Sequence, residues 1–197
     1  MNSSPDSPPV GLRERKKART RAALREHGMR LFREQGYAET TIEQIAEAAD
    51  VSPSTFFRYF PTKEDLVLVD DLDPVLIAAL EAQPIEKSPI AAVRDAIADV
   101  LAELTDEDRE RELQRHELML SVPELRATLM DEFRRTIDMM AEAVARRLGR
   151  PADDFEVRVF SGAVIGATIS TFESPVHSFE TTLRALDFLA AGLPLVK

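Results

Sequence analysis

Apolar residues recur through most of this 197-residue chain at intervals of three and four positions, the spacing of helices with one buried face. The clearest stripe lies between residues 123 and 148 and consists of Leu125, Leu129, Phe133, Ile137, Met140, Val144 and Leu148. No segment alternates apolar and polar residues over a useful length, and no internal repeat is visible. The pattern therefore predicts an all-α fold of about nine helices.

Capping and helix-breaking residues predict where several of these helices begin and end. Three helix starts carry a capping residue or a first-turn proline, at Ser88-Pro89, Thr105 and Pro123. Gly149 suits the end of the long helix. A fourth helix is expected from near Thr62 to Leu80, but Pro74 removes a backbone hydrogen bond and should kink or split it.

Residues 40–60 read as two short helices joined by a tight turn. Thr40 is expected to cap the first helix, with Glu43 completing a capping box. Asp50 suits the turn because a short polar side chain tolerates the left-handed backbone that ends a helix. Ser52-Pro53 then suits the start of the second helix. This spacing is typical of a DNA-reading helix-turn-helix.

The second of these helices carries polar groups that suit nucleic acid. Phe56 and Phe60 are four positions apart and can both face the core. The side chains that then project elsewhere offer hydroxyls, a guanidinium and a phenol, on Ser54, Thr55, Arg58 and Tyr59. Such groups bind phosphate oxygens and base edges in a major groove. The alternative is an ordinary helical hairpin whose polar residues face water.

The segment GYAETTIEQIAEAADVSPSTFFRYFPTKEDL resembles the N-terminal DNA-binding domain of the TetR family of bacterial transcriptional repressors, over about Arg19 to Leu66. The resemblance implies an all-helical homodimer with a three-helix reading head and a larger helical body that binds a small molecule. Two C-terminal helices would pair with the partner. We therefore expect a disordered tail over 1–10, a helix-turn-helix DNA-binding domain over 11–63, and a ligand-binding and dimerisation domain over 64–197.

The resemblance also implies which side chains contact DNA. Phosphate contacts fall on Thr41, Ser52, Tyr59 and Lys63, and groove-facing positions on Ser54, Thr55 and Arg58. The chain departs from the family pattern in two places. Phe57 stands where a tyrosine is frequent, so one hydroxyl contact is lost, although its ring could touch sugar or a thymine methyl. Asp50 replaces a frequent glycine and places an anion near the DNA.

The charge distribution restricts DNA attraction to one end of the chain. The formal net charge is -10, yet residues 1–63 hold 11 Lys and Arg against 8 Asp and Glu. A basic head on an acidic body confines attraction for DNA to the head. A run of cations opens the first helix, namely Arg13, Arg15, Lys16, Lys17, Arg19 and Arg21. Within it, we expect Arg15 and Lys16 to contact phosphates or the minor groove. The alternative is a solvated face.

The C-terminal helices carry the prediction of a homodimer. The helix over 159–169 is apolar or small on every side, so a partner would have to cover one face, unless it is a central core helix of a monomer. The residues expected at this interface are Phe160, Gly162, Ala163, Gly166, Ala167, Phe179, Leu183 and Leu186. Two reading helices could then enter successive major grooves about 34 Å apart, so the operator should be a rough palindrome.

Several apolar and methionine side chains could line a ligand cavity in the body, with a cation or an imidazole as polar anchor. They are Leu101, Leu104, Arg115, His116, Met119, Leu120, Met130, Phe133, Ile137 and Met140. From the residues alone, packing of these side chains against one another is favoured over a cavity. The family resemblance favours a pocket for a hydrophobic or amphipathic molecule.

Other classes of function lack their residues. The chain has no cysteine, and His27, His116 and His177 are isolated, without metal-ligand spacing. No phosphate-cradling glycine loop or nucleophile motif is present, so neither an enzyme nor a cofactor is expected. The first ten residues lack the order of a signal peptide, and no uncharged run is long enough to span a bilayer. A cytoplasmic protein without membrane contact is expected.

These expectations combine into a dimeric repressor that binds a palindromic operator and is released by a small ligand. The ligand would prefer one body conformation and act on the DNA through the fourth helix, with Pro74 as a compliant point. An activator would use the same contacts with the opposite sign of coupling. A different class of function is a ligand-sequestering or interaction protein with a vestigial helix-turn-helix.

Overall fold

A computed structural model describes residues 11–69, 71–171 and 178–195. Residues 1–10, for which a tail was expected, and residues 70, 172–177 and 196–197, which include His177, lie outside these ranges. The described residues form ten helices and no strand, which confirms the all-α prediction. The helices are α1 (Leu12–Gln35), α2 (Ile42–Ala48), α3 (Pro53–Tyr59), α4 (Asp65–Leu68), α5 (Asp73–Ala82), α6 (Pro89–Glu103), α7 (Asp106–Ser121), α8 (Pro123–Leu148), α9 (Phe155–Ile169) and α10 (Phe179–Ala190).

The chain divides into two compact units, one ending at Val69 and the other beginning at Asp70. We call the described parts the head (11–69) and the body (71–195). The break falls a few residues later than the sequence placed the domain boundary. The reason is that α4 packs against α1 and belongs to the head.

The core of the head is built from apolar side chains of all four of its helices: Leu24, Phe32, Ile45, Phe56, Phe60 and Leu66. Gly28 lies in the middle of α1, where α4 approaches closely. A Cβ atom at this position would lie 2.8 Å from Cδ1 of Leu66, so only glycine leaves room for the leucine as it stands. Burial of this shared core holds the short helices α2, α3 and α4, which could not be stable alone.

The start of α2 lies one residue later than predicted. Thr41, and not Thr40, is the N-cap, and it forms a capping box with Gln44 in place of Glu43. The Thr40 side chain is buried and donates from Oγ1 to the Gly36 carbonyl at 2.8 Å. Because that hydroxyl already closes the turn after α1, the next threonine is the one that remains to cap α2.

The predicted fourth helix is split, which accounts for ten helices where about nine were expected. α4 ends at Leu68, and α5 begins at Asp73 with Pro74 in its first turn. A proline is tolerated there because the first N–H groups of a helix have no intrahelical acceptor. Most other helix limits follow the predicted caps: Ser88 precedes α6, Thr105 precedes α7, and α8 ends at Gly149 with a left-handed backbone.

The core of the body is formed mainly by α5, α6, α8, α9 and α10, through Leu80, Val93, Ala96, Val144, Val157, Val164 and Leu186. Helix α8 packs against α9, and α10 packs against both α9 and α6. Among the residues described here, none of the helices combines the length and the apolar character needed to cross a membrane.

Candidate nucleic-acid interface

Helix α3 presents one apolar face inward and one polar face outward, as the sequence predicted. Ser52 caps it, with Oγ accepting from the Thr55 N–H at 3.3 Å, and Pro53 occupies the first turn. Phe56 and Phe60 are fully buried. Their burial fixes the rotation of a helix of seven residues, so that Phe57 and Arg58 face water, whereas Tyr59 is half-buried.

A group of hydroxyls lies at the start of α3. Ser52 Oγ is 2.9 Å from Ser54 Oγ and 3.0 Å from Thr55 Oγ1. Thr41 is exposed at the start of α2, where its hydroxyl accepts from the Gln44 N–H at 3.2 Å. Each hydroxyl retains hydrogen-bonding capacity that a phosphate oxygen or base edge could use.

The outward side of α3 also carries an aromatic ring and a cation. Phe57 is 52% exposed, so its ring is accessible on this side of the helix. The exposed Arg58 holds its guanidinium carbon 5.2 Å from the ring centroid of the neighbouring Tyr59. Asp50, in the turn before α3, has the predicted left-handed backbone, with a φ of 53°. Its carboxylate is exposed on the same unit.

Lys63 is held by the polypeptide itself. Its Nζ donates to the carbonyls of Tyr37 at 2.9 Å and Thr40 at 3.0 Å, and lies 4.2 Å from the Tyr37 ring centroid. The ammonium therefore fixes the loop that leads into α2. A phosphate contact by Lys63, implied by the family resemblance, would have to be made beside these bonds.

The cationic side chains of α1, in the basic run and at Arg25, have different surroundings. Arg15 and Lys16 are exposed at the beginning of the helix. Arg21 instead donates from Nη1 to the Tyr59 carbonyl at 3.0 Å, and Arg25 donates to the carbonyls of Leu66 and Val69. Sequence reasoning missed both of these contacts, since nothing in a local pattern indicates an acceptor roughly forty positions away.

The predicted ligand-pocket residues in the body have mixed surroundings. Leu101, Arg115, His116 and Met119 are buried, Leu104, Leu120, Phe133 and Ile137 are partly exposed, and Met140 packs against the body core. Arg115 forms an ion pair with Glu112 at 2.8 Å, and its Nη2 lies 3.4 Å from His116 Nε2. A buried cation beside a buried imidazole is a polar centre of the kind that orients ligands in apolar sites.

Met130 was wrongly assigned to the pocket. Its side chain is 76% exposed, because the buried residues of this part of α8 are Leu125 and Leu129, and the next position is turned away from them. A surface groove in the body is lined by none of the predicted pocket residues. Its lining consists of Leu80, Glu81, Gln83, Ile85, Ala143, Arg146 and Arg147.

Helix α9 is not buried on all sides within the protomer. Val157, Ser161 and Val164 face the body core, whereas Gly166 and Ala163 are exposed on the opposite side. Added Cβ atoms at Gly162 and Gly166 would meet no atom within 4 Å. On the same outward side, Phe155 is 78% exposed and Val159 is 53% exposed, two residues that the sequence analysis did not include. We call this set the α9 outer face: Phe155, Val159, Gly162, Ala163 and Gly166.

Leu186 was wrongly assigned to a surface between subunits. It is fully buried in the core of its own body, because α10 turns this residue toward α6 and α9. Phe160 also packs against that core, and the Phe179 ring faces the Arg109 guanidinium at 5.9 Å. On α10 the outward apolar side chain is Phe188, which the sequence analysis missed.

Two family models match this chain. The model of bacterial regulatory proteins of the tetR family matches residues 24–69, and that of the MftR C-terminal domain matches residues 87–194. The HTH-type transcriptional regulator TcmR of Streptomyces glaucescens is 38% identical over 180 residues, which are 85% of this chain and 78% of TcmR. RutR of Escherichia coli K12 is 30% identical over 139 residues, 69% of this chain and 65% of RutR.

Solved structures show the same fold. The SmeT–triclosan complex superposes with a TM-score of 0.59 at 20% identity, covering 88% of this chain and 90% of SmeT, the repressor of a Stenotrophomonas maltophilia multidrug efflux pump. FadR of Thermus thermophilus, solved with lauroyl-CoA, superposes with a TM-score of 0.51 at 26% identity, covering 90% of this chain and 96% of FadR.

The fold, the helix-turn-helix and these relatives define a helical transcriptional regulator with a DNA-binding head. The chain belongs to the TetR family of bacterial transcriptional regulators. Its relatives are regulators of transcription and not enzymes, which confirms the expectation that the chain has no catalytic function.

Proposed function

We propose that this protein is a cytoplasmic homodimeric repressor that binds a palindromic operator and is released by a small hydrophobic or amphipathic ligand. The observation that carries the proposal is the outward side of α3. There the hydroxyls at the start of the helix, the exposed ring of Phe57 and the guanidinium of Arg58 lie on one short helix. The opposite face of that helix is buried in the core through Phe56. Such a rigid polar surface on a helix-turn-helix suits a major groove.

The DNA contacts are divided by their chemistry. Base edges are assigned to Ser54, Thr55 and Arg58, phosphates to Arg15, Lys16, Thr41, Ser52, Tyr59 and Lys63, and sugar or a thymine methyl to Phe57. Arg58 can donate two hydrogen bonds to one guanine. Such a bidentate contact favours the correct base over other bases by about 1–3 kcal/mol. The phosphate contacts set affinity and make it fall with salt.

The α9 outer face supports the dimer. Large exposed apolar side chains at Phe155 and Val159 are costly in water, and the empty space above Gly162 and Gly166 would let a second helix approach closely. An isologous pairing of two such faces brings two copies together about a twofold axis. A twofold protein then requires a twofold operator.

The ligand class is inferred from the body and from the relatives. Triclosan in SmeT and lauroyl-CoA in FadR are apolar or amphipathic molecules. In this chain, the polar side chains Arg115 and His116 and the apolar side chains Met119 and Leu101 are all buried. Such a combination would suit a molecule with a polar group on an apolar frame. A ligand that binds one conformation of the body more tightly shifts the population toward it and changes DNA affinity by that difference. Pro74, in the first turn of α5, would be the compliant point for this change.

Fluorescence anisotropy with DNA from upstream of the protein's own gene, over a salt series, tests the proposal. We expect saturable binding of one dimer to a palindromic site, weakening steeply as salt rises. Binding should be lost when Arg58 and Tyr59 are both changed to Ala, whereas the exposed α8 pair Arg134 and Arg135, changed in the same way, should leave it intact.

An absence of binding beyond that of random DNA would move the search to an unbiased pool of random duplexes, with and without candidate ligands. If that pool also yields no preferred sequence, the DNA-binding proposal is wrong. A ligand-sequestering or interaction protein with a vestigial helix-turn-helix would then replace it.

A further inference from the structure

Arg21 connects the long helix of the head to the end of the DNA-reading helix. Its Nη1 donates to the carbonyl of Tyr59, the last residue of α3, at 3.0 Å, although the two residues are 38 positions apart. The guanidinium carbon also lies 4.4 Å from the ring centroid of Phe60. By sequence, Arg21 belongs to the basic run that favours DNA. By position, it contacts protein.

The C-terminal end of helix α3 requires a donor for its last carbonyls. A helix of seven residues is unstable alone, and its final carbonyls have no donor within the helix. The Phe60 N–H bonds to the Phe56 carbonyl at 2.9 Å, but Pro61, which follows, has no N–H to continue the series. A cationic donor at this end also opposes the negative pole of the helix dipole. Arg21 supplies both the donor and the charge.

The two contacts of Arg21 are made with consecutive residues, Tyr59 and Phe60, so they restrain the backbone at the end of α3 and the side chain that follows it. The hydrogen bond to Tyr59 holds the helix end, and the guanidinium lies over the Phe60 ring that anchors the helix in the core. Arg25, one turn later on α1, lies 5.5 Å from the centroid of the same ring and donates to Val69 at 2.6 Å. The end of α3 is thereby restrained against both tilt and rotation.

We infer that Arg21 is a positioning residue for operator recognition, which acts through Tyr59 and Phe60 to set the direction of Phe57 and Arg58, and is not a phosphate contact. The inference rests on the proposed DNA binding. A positioning residue and a phosphate contact differ in measurable ways, since a lost phosphate contact weakens all duplexes alike and reduces the salt dependence. A misaligned reading helix weakens the specific complex alone.

The test compares Arg21→Gln with Arg19→Gln, which removes the same charge from an exposed position on the same helix. Anisotropy is measured with a duplex that the wild type selects from a random pool and with a scrambled duplex of equal length, each over a salt series. We expect R21Q to lose about tenfold or more on the selected duplex. On the scrambled duplex it should lose only as much as R19Q does, with the same salt slope as R19Q.

Two results would overturn the inference. One is an operator affinity of R21Q equal to that of R19Q. The other is a salt slope lower by about 0.9 than that of R19Q, together with an equal loss on both duplexes, which would make Arg21 a phosphate contact. If circular dichroism shows R21Q unfolded at the assay temperature, Arg21→Lys replaces it. R21K keeps the charge but lacks the planar group, so we expect reduced operator affinity with an unchanged slope, and full affinity would count against positioning.

Hydrogen exchange gives a readout that needs no DNA. We expect the Phe60 amide to exchange faster in R21Q than in R19Q, while amides of α2, such as that of Ile45, remain unchanged. Equal exchange at Phe60 in both variants would contradict the inference even if no duplex were bound. A wild-type protein that prefers no duplex would contradict the proposed function. The exchange experiment would still show whether Arg21 holds the end of α3.

Discussion

Gly28 in α1 and Leu66 in α4 approach so closely that an added Cβ would stand 2.8 Å from Cδ1 and 3.0 Å from Cδ2 of the leucine. Leu66 is fully buried and belongs to the last helix of the head. The packing of α1 on α4 therefore depends on the absence of a side chain at residue 28.

Gly28→Ala should destabilise the head. Overpacking of a core costs about 1–3 kcal/mol, while alanine regains about 1 kcal/mol of helix propensity. We expect a net loss of about 1 kcal/mol in the free energy of unfolding. Urea unfolding followed by circular dichroism measures it. A more stable variant would mean that Leu66 moves aside without strain.

Gly166→Leu should weaken the dimer without unfolding the protomer. No atom lies within 4 Å of an added Cβ at residue 166, so the protomer has room for the side chain. In the proposed dimer, the leucine would instead occupy the space needed by α9 of the second copy. We expect the dimer dissociation constant to rise at least about tenfold, a change of about 1.4 kcal/mol. Sedimentation equilibrium measures it, with Ala102→Leu at an exposed position of α6 as the matched control. Equal dissociation constants would remove the α9 outer face from the interface.

Lys63→Met should loosen the loop between α1 and α2. The change keeps the apolar stem but removes the donors to the Tyr37 and Thr40 carbonyls. Carbonyls that lose a charged donor cost about 1–3 kcal/mol, so the unfolding midpoint should fall. Thermal unfolding measures the loss, and salt-dependent DNA binding separates the two roles. A stable variant whose salt slope drops would show that Lys63 serves DNA and not the loop.

Asp95 should contribute to stability in a pH-dependent manner. The hydrogen bond from Lys87 is the largest favourable cause that holds the pKa of Asp95 below its ordinary value of 3.8, and Arg94 adds to it. Because the folded pKa is depressed, the contribution is fully present above pH 3.8 and is lost as the pH falls through the folded pKa. The unfolding midpoint of Asp95→Asn should therefore fall less steeply with decreasing pH than that of the wild type. The difference should appear below about pH 4, where aspartate side chains ordinarily titrate. Asp153→Asn, at an exposed position, should retain the wild-type slope.

Sequence patterns predicted the local features well. The caps at Ser52, Ser88 and Thr105 and the left-handed backbone of Asp50 and Gly149 all lie where they were expected. Each depends on hydrogen bonds within four residues or on the steric limits of one residue, and these are encoded by neighbours in the chain. The cap of α2 is the instructive exception, since its displacement to Thr41 follows from the bond between Thr40 and Gly36.

The candidate site could be predicted only in part, because local patterns encode the faces of a helix but not its contacts with distant residues. The outward side of α3 follows from the spacing of Phe56 and Phe60, whereas the surroundings of Arg21 and Lys63 do not follow from any spacing. Both cations resemble DNA contacts in the sequence, yet each donates to a carbonyl more than twenty positions away. Leu186 and Met130 show the converse on the body helices, since their burial depends on which helix packs beside them.

By itself, the sequence determined the helical class, most helix limits, the reading helix and the family, because periodicity, caps and a contiguous motif are local properties. Only the tertiary structure decided which side of α9 faces outward, which cations hold the head together, and where the head ends. Those outcomes depend on contacts between residues far apart in the chain, which form when apolar faces are buried together and unpaired carbonyls find distant donors.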